Sequence, residues 1–88
     1  MKTFIENPKI SYDSKFDVMY YTFGDTSNVY GDDETDGIVV MRDIDSNEVK
    51  GYTIMGFKRI LESGTELINS LVSIIGLNIF EAMKTKCN

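Results

Sequence analysis

The stretch from Ile10 to Gly56 constrains the fold more than any other, because apolar runs of strand length alternate there with turn-forming residues. The runs read ISY, VMYYTF, IVVMR and VKGYTIM. They are rich in β-branched and aromatic residues, as strands usually are, and the segments between them carry the Gly, Asp, Ser and Asn of turns. The pattern predicts an α+β domain in which an antiparallel sheet of three or four strands packs against a C-terminal helix.

The chain of 88 residues is short enough for one domain, which we divide into three segments. Residues 1–9 are expected to form an N-terminal arm, and residues 10–61 the antiparallel-sheet domain. Residues 62–88 are expected to form a C-terminal helix that packs on the sheet, on a second subunit, or on both. The polar stretch 24–37 is interpreted as a loop, with at most a short edge strand at Val29 and Tyr30.

Both faces of the second predicted strand carry large apolar side chains. Alternation along a strand sends successive side chains to opposite faces. One face holds Val18, Tyr20 and Thr22, and the other holds Met19, Tyr21 and Phe23. We therefore expect both faces to be covered, one by the chain's own helix and the other by a second subunit, and the sequence leaves open which face meets the helix.

The predicted helix from Thr65 to Lys84 has more apolar positions than one sheet face can cover. An inner stripe would use Leu67, Leu71, Ile74 or Ile75, and Phe80. The predicted interface residues, which include one member of that uncertain pair, are Ile68, Val72, Ile75 and Ile79. Contiguous exposed apolar surface usually marks an interaction site, so the pattern predicts a homodimer or a higher oligomer with this helix at the interface.

An acidic run, residues 32–36, invites comparison with a calcium-binding EF-hand loop. Asp32, Glu34, Asp36 and Gly37 fall at its first, third, fifth and sixth positions, and Asp43 falls at the twelfth. Asp or Asn is usual at the third position and a bidentate Glu at the twelfth. The strand-like run that follows is also unlike the helix an EF-hand requires. We therefore predict no metal site, and keep a small metal-dependent enzyme using this loop as the alternative function.

The composition argues against most catalytic chemistry. The chain has no His, which excludes Ser-His-Asp triads, Cys-His pairs and most zinc sites. Its single cysteine, Cys87, is expected to be a free thiol, which suits a reducing, cytoplasmic location. Asp13 and Asp17 flank Lys15, and we interpret them as turn residues that bond to backbone rather than as an acid–base pair. We predict no catalytic residues and no cofactor.

The charge distribution bears on partners. The net charge is −5 and no basic run is present, which argues against nucleic-acid binding and favours a basic protein partner. Residues 1–8 lack the apolar core of a secretory signal. The apolar stretch from Leu67 to Met83 is interrupted by polar residues, so it falls short of a spanning helix of about 20 residues.

Four motifs in order resemble a small prokaryotic family, domain of unknown function 2283. The motifs are ISYD at residues 10–13, DVMYY at 17–21, DGIVV at 36–40 and VKGYTI at 49–54. The resemblance covers about Ile10 to Leu61. The family has no established activity, so the resemblance implies no catalytic residues. It implies at most an antitoxin-like binding role, because some members are encoded beside small toxin candidates.

These observations together predict a non-enzymatic, homo-oligomeric protein-binding module.

Overall fold

The computed structural model describes residues 8–24, 26–35 and 37–87, which form five strands and three helices. The strands are β1 (Lys9–Asp13), β2 (Val18–Thr22), β3 (Val29–Thr35), β4 (Ile38–Asp43) and β5 (Val49–Met55), and the helices are α1 (Phe57–Glu62), α2 (Thr65–Ile75) and α3 (Leu77–Cys87). The sheet order is β1-β2-β5-β4-β3, and every neighbouring pair is antiparallel. The predicted α+β class is confirmed.

The predicted count of three or four strands is wrong, because the acidic stretch interpreted as a loop contains β3. This strand pairs only with β4, and a bulge lies between Asp33 and Thr35. An edge strand tolerates charged residues, which also discourage pairing with another chain. Such a strand lacks the apolar alternation by which the other strands were recognised. Of the predicted N-terminal arm, residues 1–7 lie outside the described residues, and Lys9 already belongs to β1.

The single C-terminal helix predicted from the sequence is two helices. Gly76 has φ 93°, in the region that favours glycine, and the axes of α2 and α3 differ in direction by 118° there. Apolar steps of three and four continue on both sides of Gly76, so the hydrophobic pattern hides the break. A further short helix, α1, follows β5 directly.

The core lies between one face of the sheet and all three helices. Its fully or almost fully buried members are Met19, Ile38, Ile54, Phe57, Ile60, Leu71, Ile75, Phe80 and Met83. The Phe57 and Phe80 rings meet with their centroids 6.2 Å apart. The face of β2 that carries Met19 is therefore the one that meets the helices. Phe23 lies just beyond β2 and is half-buried.

Gly51 lets the two central strands approach closely. A Cβ atom at this position would collide with the backbone carbonyl oxygen of Tyr21 on β2. A register irregularity between Met41 and Arg42 lies opposite this part of β5. A glycine in the middle of a strand is typical of such a close approach between backbones.

Candidate interaction surface

The second face of the sheet, which we call the open face, carries no helix in the described part of the chain. All three helices contribute to the core on the other side. Strand alternation and register place apolar and hydroxyl-bearing side chains at its centre and charged ones, Lys9, Asp13 and Asp33, on the edge strands. The apolar and hydroxyl-bearing members are Ser11, Val18, Tyr20, Thr22, Val39, Met41, Thr53 and Met55. The centre of the open face is therefore mostly apolar, and its edges are charged.

Cross-strand pairing arranges these side chains in rows. Tyr20 lies opposite Thr53, which lies opposite Val39 on β4. In the next row, Met41 lies opposite glycines on both neighbouring strands, Gly51 and Gly31. Tyr20 is 40% exposed, and the β4 side chains are half-buried by their neighbours alone. The centre of the open face is therefore an apolar surface.

The structure places the predicted interface residues of the helix in or against the core. Ile75 is only 4% exposed and belongs to the core, while Ile68, Val72 and Ile79 are half-buried against it. These three residues therefore expose only part of their surface in a single chain, and their role in an interface stays a prediction. Because three helices pack on one another and on the sheet, they bury most of the wide apolar sector within one chain.

The exposed apolar side chains of the helices are different ones. Leu67, expected to point inward, is 50% exposed, and Leu77 is 59% exposed. The break at Gly76 changes the direction of α3, so a single-helix projection misassigns positions on either side of it.

The acidic run is engaged by an arginine rather than poised for a metal. Arg42 on β4 places its Nε 3.0 Å from Asp32 Oδ2 and its Nη2 3.8 Å from Glu34 Oε2. Asp33 lies on the other face of β3, and Asp36 lies outside the described residues. Across residues 8–24, 26–35 and 37–87, no three His, Cys, Asp or Glu side chains converge in a way that could hold a metal ion.

Asp17 organises the start of α1. Its Oδ1 accepts hydrogen bonds from the Tyr12 hydroxyl at 2.6 Å and from the Lys58 backbone N–H at 2.8 Å. Its Oδ2 accepts one from the Arg59 N–H at 3.2 Å. The side chain therefore caps a helix whose own preceding residue, Gly56, supplies no side-chain cap.

The two protonation equilibria at this contact respond in opposite directions. Burial by itself raises the pKa of the Asp17 carboxyl, but the hydrogen bonds from Tyr12 and from two backbone N–H groups outweigh it. The pKa of Asp17 therefore lies below its ordinary value. The same carboxylate raises the pKa of Tyr12, chiefly because the Tyr12 hydroxyl donates to it. Both shifts describe a stabilising contact rather than an acid–base pair.

Asp13 and Asp43 close turns, as was predicted for the first of them. Asp13 Oδ1 accepts from the backbone N–H groups of Lys15 at 3.0 Å and Phe16 at 3.3 Å. Asp43 makes the equivalent bonds in the β4–β5 turn, and those from Ser46 and its neighbour lower the pKa of Asp43. Asn47 has φ 66°, a left-handed conformation that asparagine tolerates better than most residues.

Two signals of the candidate surface were available in the sequence and one was used. The alternation in β2 predicted two apolar faces, one of them carrying Val18, Tyr20 and Thr22, and left open which of the two meets the helices. The same alternation in β4 sends Val39 and Met41 outward, but a wholly apolar run does not reveal which residues face the helices.

Comparison with protein-family models, curated proteins and solved structures gives no match. The resemblance to the domain of unknown function 2283 therefore rests on the four motifs alone. In the described residues no single helix is long and apolar enough to cross a membrane. The pair α2 and α3 together meets that length and composition, but it is sharply bent.

Proposed function

We propose that this protein is a non-enzymatic protein-binding module that forms a homodimer through the open face of its sheet. The observation that carries the proposal is that, among the described residues, the helices cover one side of the sheet and none covers the other, whose centre is apolar. Five strands about 4.8 Å apart and about 20 Å long make a face of roughly 500 Å². A contiguous apolar surface of a few hundred Å² often marks a binding site.

A second copy of the chain suits this face in size. Two such faces pressed together bury roughly 1,000 Å², which is about the lower bound for a specific interface. Aligned sheets pack about 10 Å apart with interdigitating side chains. Tyr20, which is 40% exposed, is the most exposed aromatic side chain at the centre of this face and would project toward the other copy.

Charge also favours a twofold arrangement parallel to the strands. Such an axis lays β1 of each copy over β3 of the other, since these strands form opposite edges of the sheet. Lys9, on the open-face side of β1, then approaches Asp33, on the open-face side of β3. The dimer would also compensate for the thin core of an 88-residue chain.

The acidic surface outside this face favours a basic protein as a further partner, because complementary charge accelerates association. That partner agrees with the antitoxin-like role implied by the family resemblance. The net charge of −5 disfavours nucleic acid as the partner.

Sedimentation velocity at micromolar concentration tests the homodimer. We expect the parent protein to sediment at twice the 10.0 kDa of one chain. Tyr20→Glu combined with Val39→Glu places charges in the central row of the open face and should yield the monomer. Leu77→Glu is the matched control, because Leu77 is more exposed than Tyr20 but lies on α3.

The results separate this surface from the helical one. If the parent protein still sediments as a single chain at about 100 µM, its dimerisation is weaker than a standard interface would give, and the proposal is contradicted. Dissociation by Leu77→Glu, with the double variant still dimeric, would place the interface on the helices instead. Circular dichroism of each variant shows whether the change in mass accompanies a folded chain.

A further inference from the structure

A groove of about 390 Å³ lies between α1, α2 and the ends of β4 and β5. It is formed on the helix side of the sheet, away from the centre of the open face. Its lining residues are Ile38, Met55, Arg59, Ile60, Ser63, Leu67 and Ser70. The volume falls within the range of small-molecule sites, about 300–1,000 Å³.

Apolar side chains make both the floor and the rim of this groove. Ile38 and Ile60 are buried and form the floor. Met55 and Leu67 lie at the rim, and each exposes about half of its surface. Exposure of apolar side chains to water at the mouth of a groove is unfavourable, and an apolar ligand that covers them would lower the free energy.

The charged group of the groove is Arg59. The described lining includes no acidic residue. Within the described residues the Arg59 guanidinium makes no salt bridge, whereas Arg42 makes two, but the charge of Arg59 interacts with the Asp17 carboxylate at longer range. The nearby Asp17 carboxylate already accepts hydrogen bonds from Tyr12 and from backbone N–H groups. The Arg59 guanidinium beside this apolar groove therefore has N–H donors available for a ligand, although the net charge of the chain is −5.

We propose that this groove binds a small aliphatic carboxylate. The alkyl chain lies against Ile38, Ile60 and Leu67, and the carboxylate accepts hydrogen bonds from Arg59. The planar guanidinium matches a carboxylate with two parallel donors, which gives both affinity and orientation. Hydroxyl groups of Ser63 and Ser70 make the remainder of the lining polar enough for a hydrated head group. This site is separate from the proposed dimer, with Met55 alone shared between the two surfaces.

Titration of the ¹⁵N-labelled full chain with octanoate, followed by amide chemical shifts, tests the site. We expect saturable shifts confined to the ends of β4 and β5 and to α1 and α2. Octanol has the same chain without the charge and should bind at least tenfold more weakly. Arg59→Gln should weaken octanoate binding at least tenfold and leave octanol binding unchanged. Lys58→Gln is the matched control, because it removes the adjacent charge but does not touch the groove.

A variant that fills the groove provides a second, independent reading. Ser70 is exposed on α2, so Ser70→Phe should fold and should abolish binding of both ligands. Equal octanoate affinity in the parent and Arg59→Gln overturns the proposal. So do the absence of saturable shifts at millimolar octanoate and shifts that spread equally to exposed apolar residues elsewhere, such as Phe16 and Ile44. Sedimentation of the same samples reports the oligomeric state separately.

Discussion

Asp17 connects two parts of the chain that lie 41 residues apart in sequence. It ends the turn between β1 and β2 with φ 57°, a conformation in which Asp is tolerated better than most residues. Its carbonyl oxygen accepts from the Gly56 N–H at 2.7 Å, and its carboxylate caps α1. One residue thus determines both the exit of a turn and the start of a helix.

Replacing Asp17 with Asn should destabilise the fold by about 1–3 kcal/mol, the range for hydrogen bonds to a charged group. Asn tolerates the same backbone conformation, so the loss reports the carboxylate and not strain. Urea denaturation measures it. Asp13→Asn is the control, since Asp13 bonds only within its own turn and should cost less. If the two variants unfold at the same urea concentration, the cap contributes nothing beyond an ordinary turn.

The lowered pKa of Asp17 predicts how stability depends on pH. The unfolded carboxyl titrates near 3.8 and the folded one below it. The contribution of Asp17 is therefore complete above pH 3.8 and is lost as the pH falls through the folded pKa. Denaturation curves between pH 7 and pH 2 should show a steeper loss for the parent than for Asp17→Asn. Parallel curves would contradict the assignment, whereas Tyr12→Phe should reduce the difference.

At the scale of the elements, the sheet was predictable where its strands are apolar and was missed where they are not. β2, β4 and β5 can be recognised in the sequence because each is an apolar run between turn-forming residues. β3 is an edge strand with three consecutive acidic residues, Asp32 to Glu34. Among the described residues, its cross-strand ion pairs are those that Asp32 and Glu34 make with Arg42 on β4. Such through-space pairing, like the capping of α1 by Asp17, leaves no periodic signal in the sequence.

The same limit applies to the candidate surface. The sequence showed that β2 has two apolar faces, and it therefore predicted that both faces are covered by other parts of the protein or by a partner. Which surface stays uncovered depends on how many helices pack on the sheet. That number depends on Gly76, a single residue that breaks the helix within an otherwise continuous apolar pattern. Ile68, Val72 and Ile79, predicted to form an interface, are partly buried against the core in the structure, and the interface itself stays a prediction.

Gly76→Ala should destabilise the protein by about 1–3 kcal/mol, because φ 93° and ψ 153° form a conformation that is essentially restricted to glycine. The Cβ atom itself meets nothing within 4 Å, so backbone strain is the cause. Thermal or urea unfolding measures the effect, and Asn78→Ala, on the exposed side of α3, is the control. A more stable Gly76→Ala variant with increased helical circular dichroism would mean that α2 and α3 prefer to be continuous.

At the scale of the whole molecule, the chain consists of two locally connected units. One is the β1–β2 hairpin, and the other is the β3–β4–β5 meander with its following helices. They join where β2 pairs with β5, from Val18 opposite Met55 to Thr22 opposite Gly51. The Asp17 cap and the close approach of Gly51 to Tyr21 lie on this same junction.

This strand order has a consequence for folding kinetics. The hairpins close short loops, but the junction of β2 with β5 brings together residues about thirty positions apart and must be formed against a larger loss of chain entropy. The junction is thus the step that converts two marginal fragments into one cooperative unit. A cut anywhere between β2 and β5 would leave the N-terminal hairpin to find its partner by diffusion, so the intact connection is itself a source of stability.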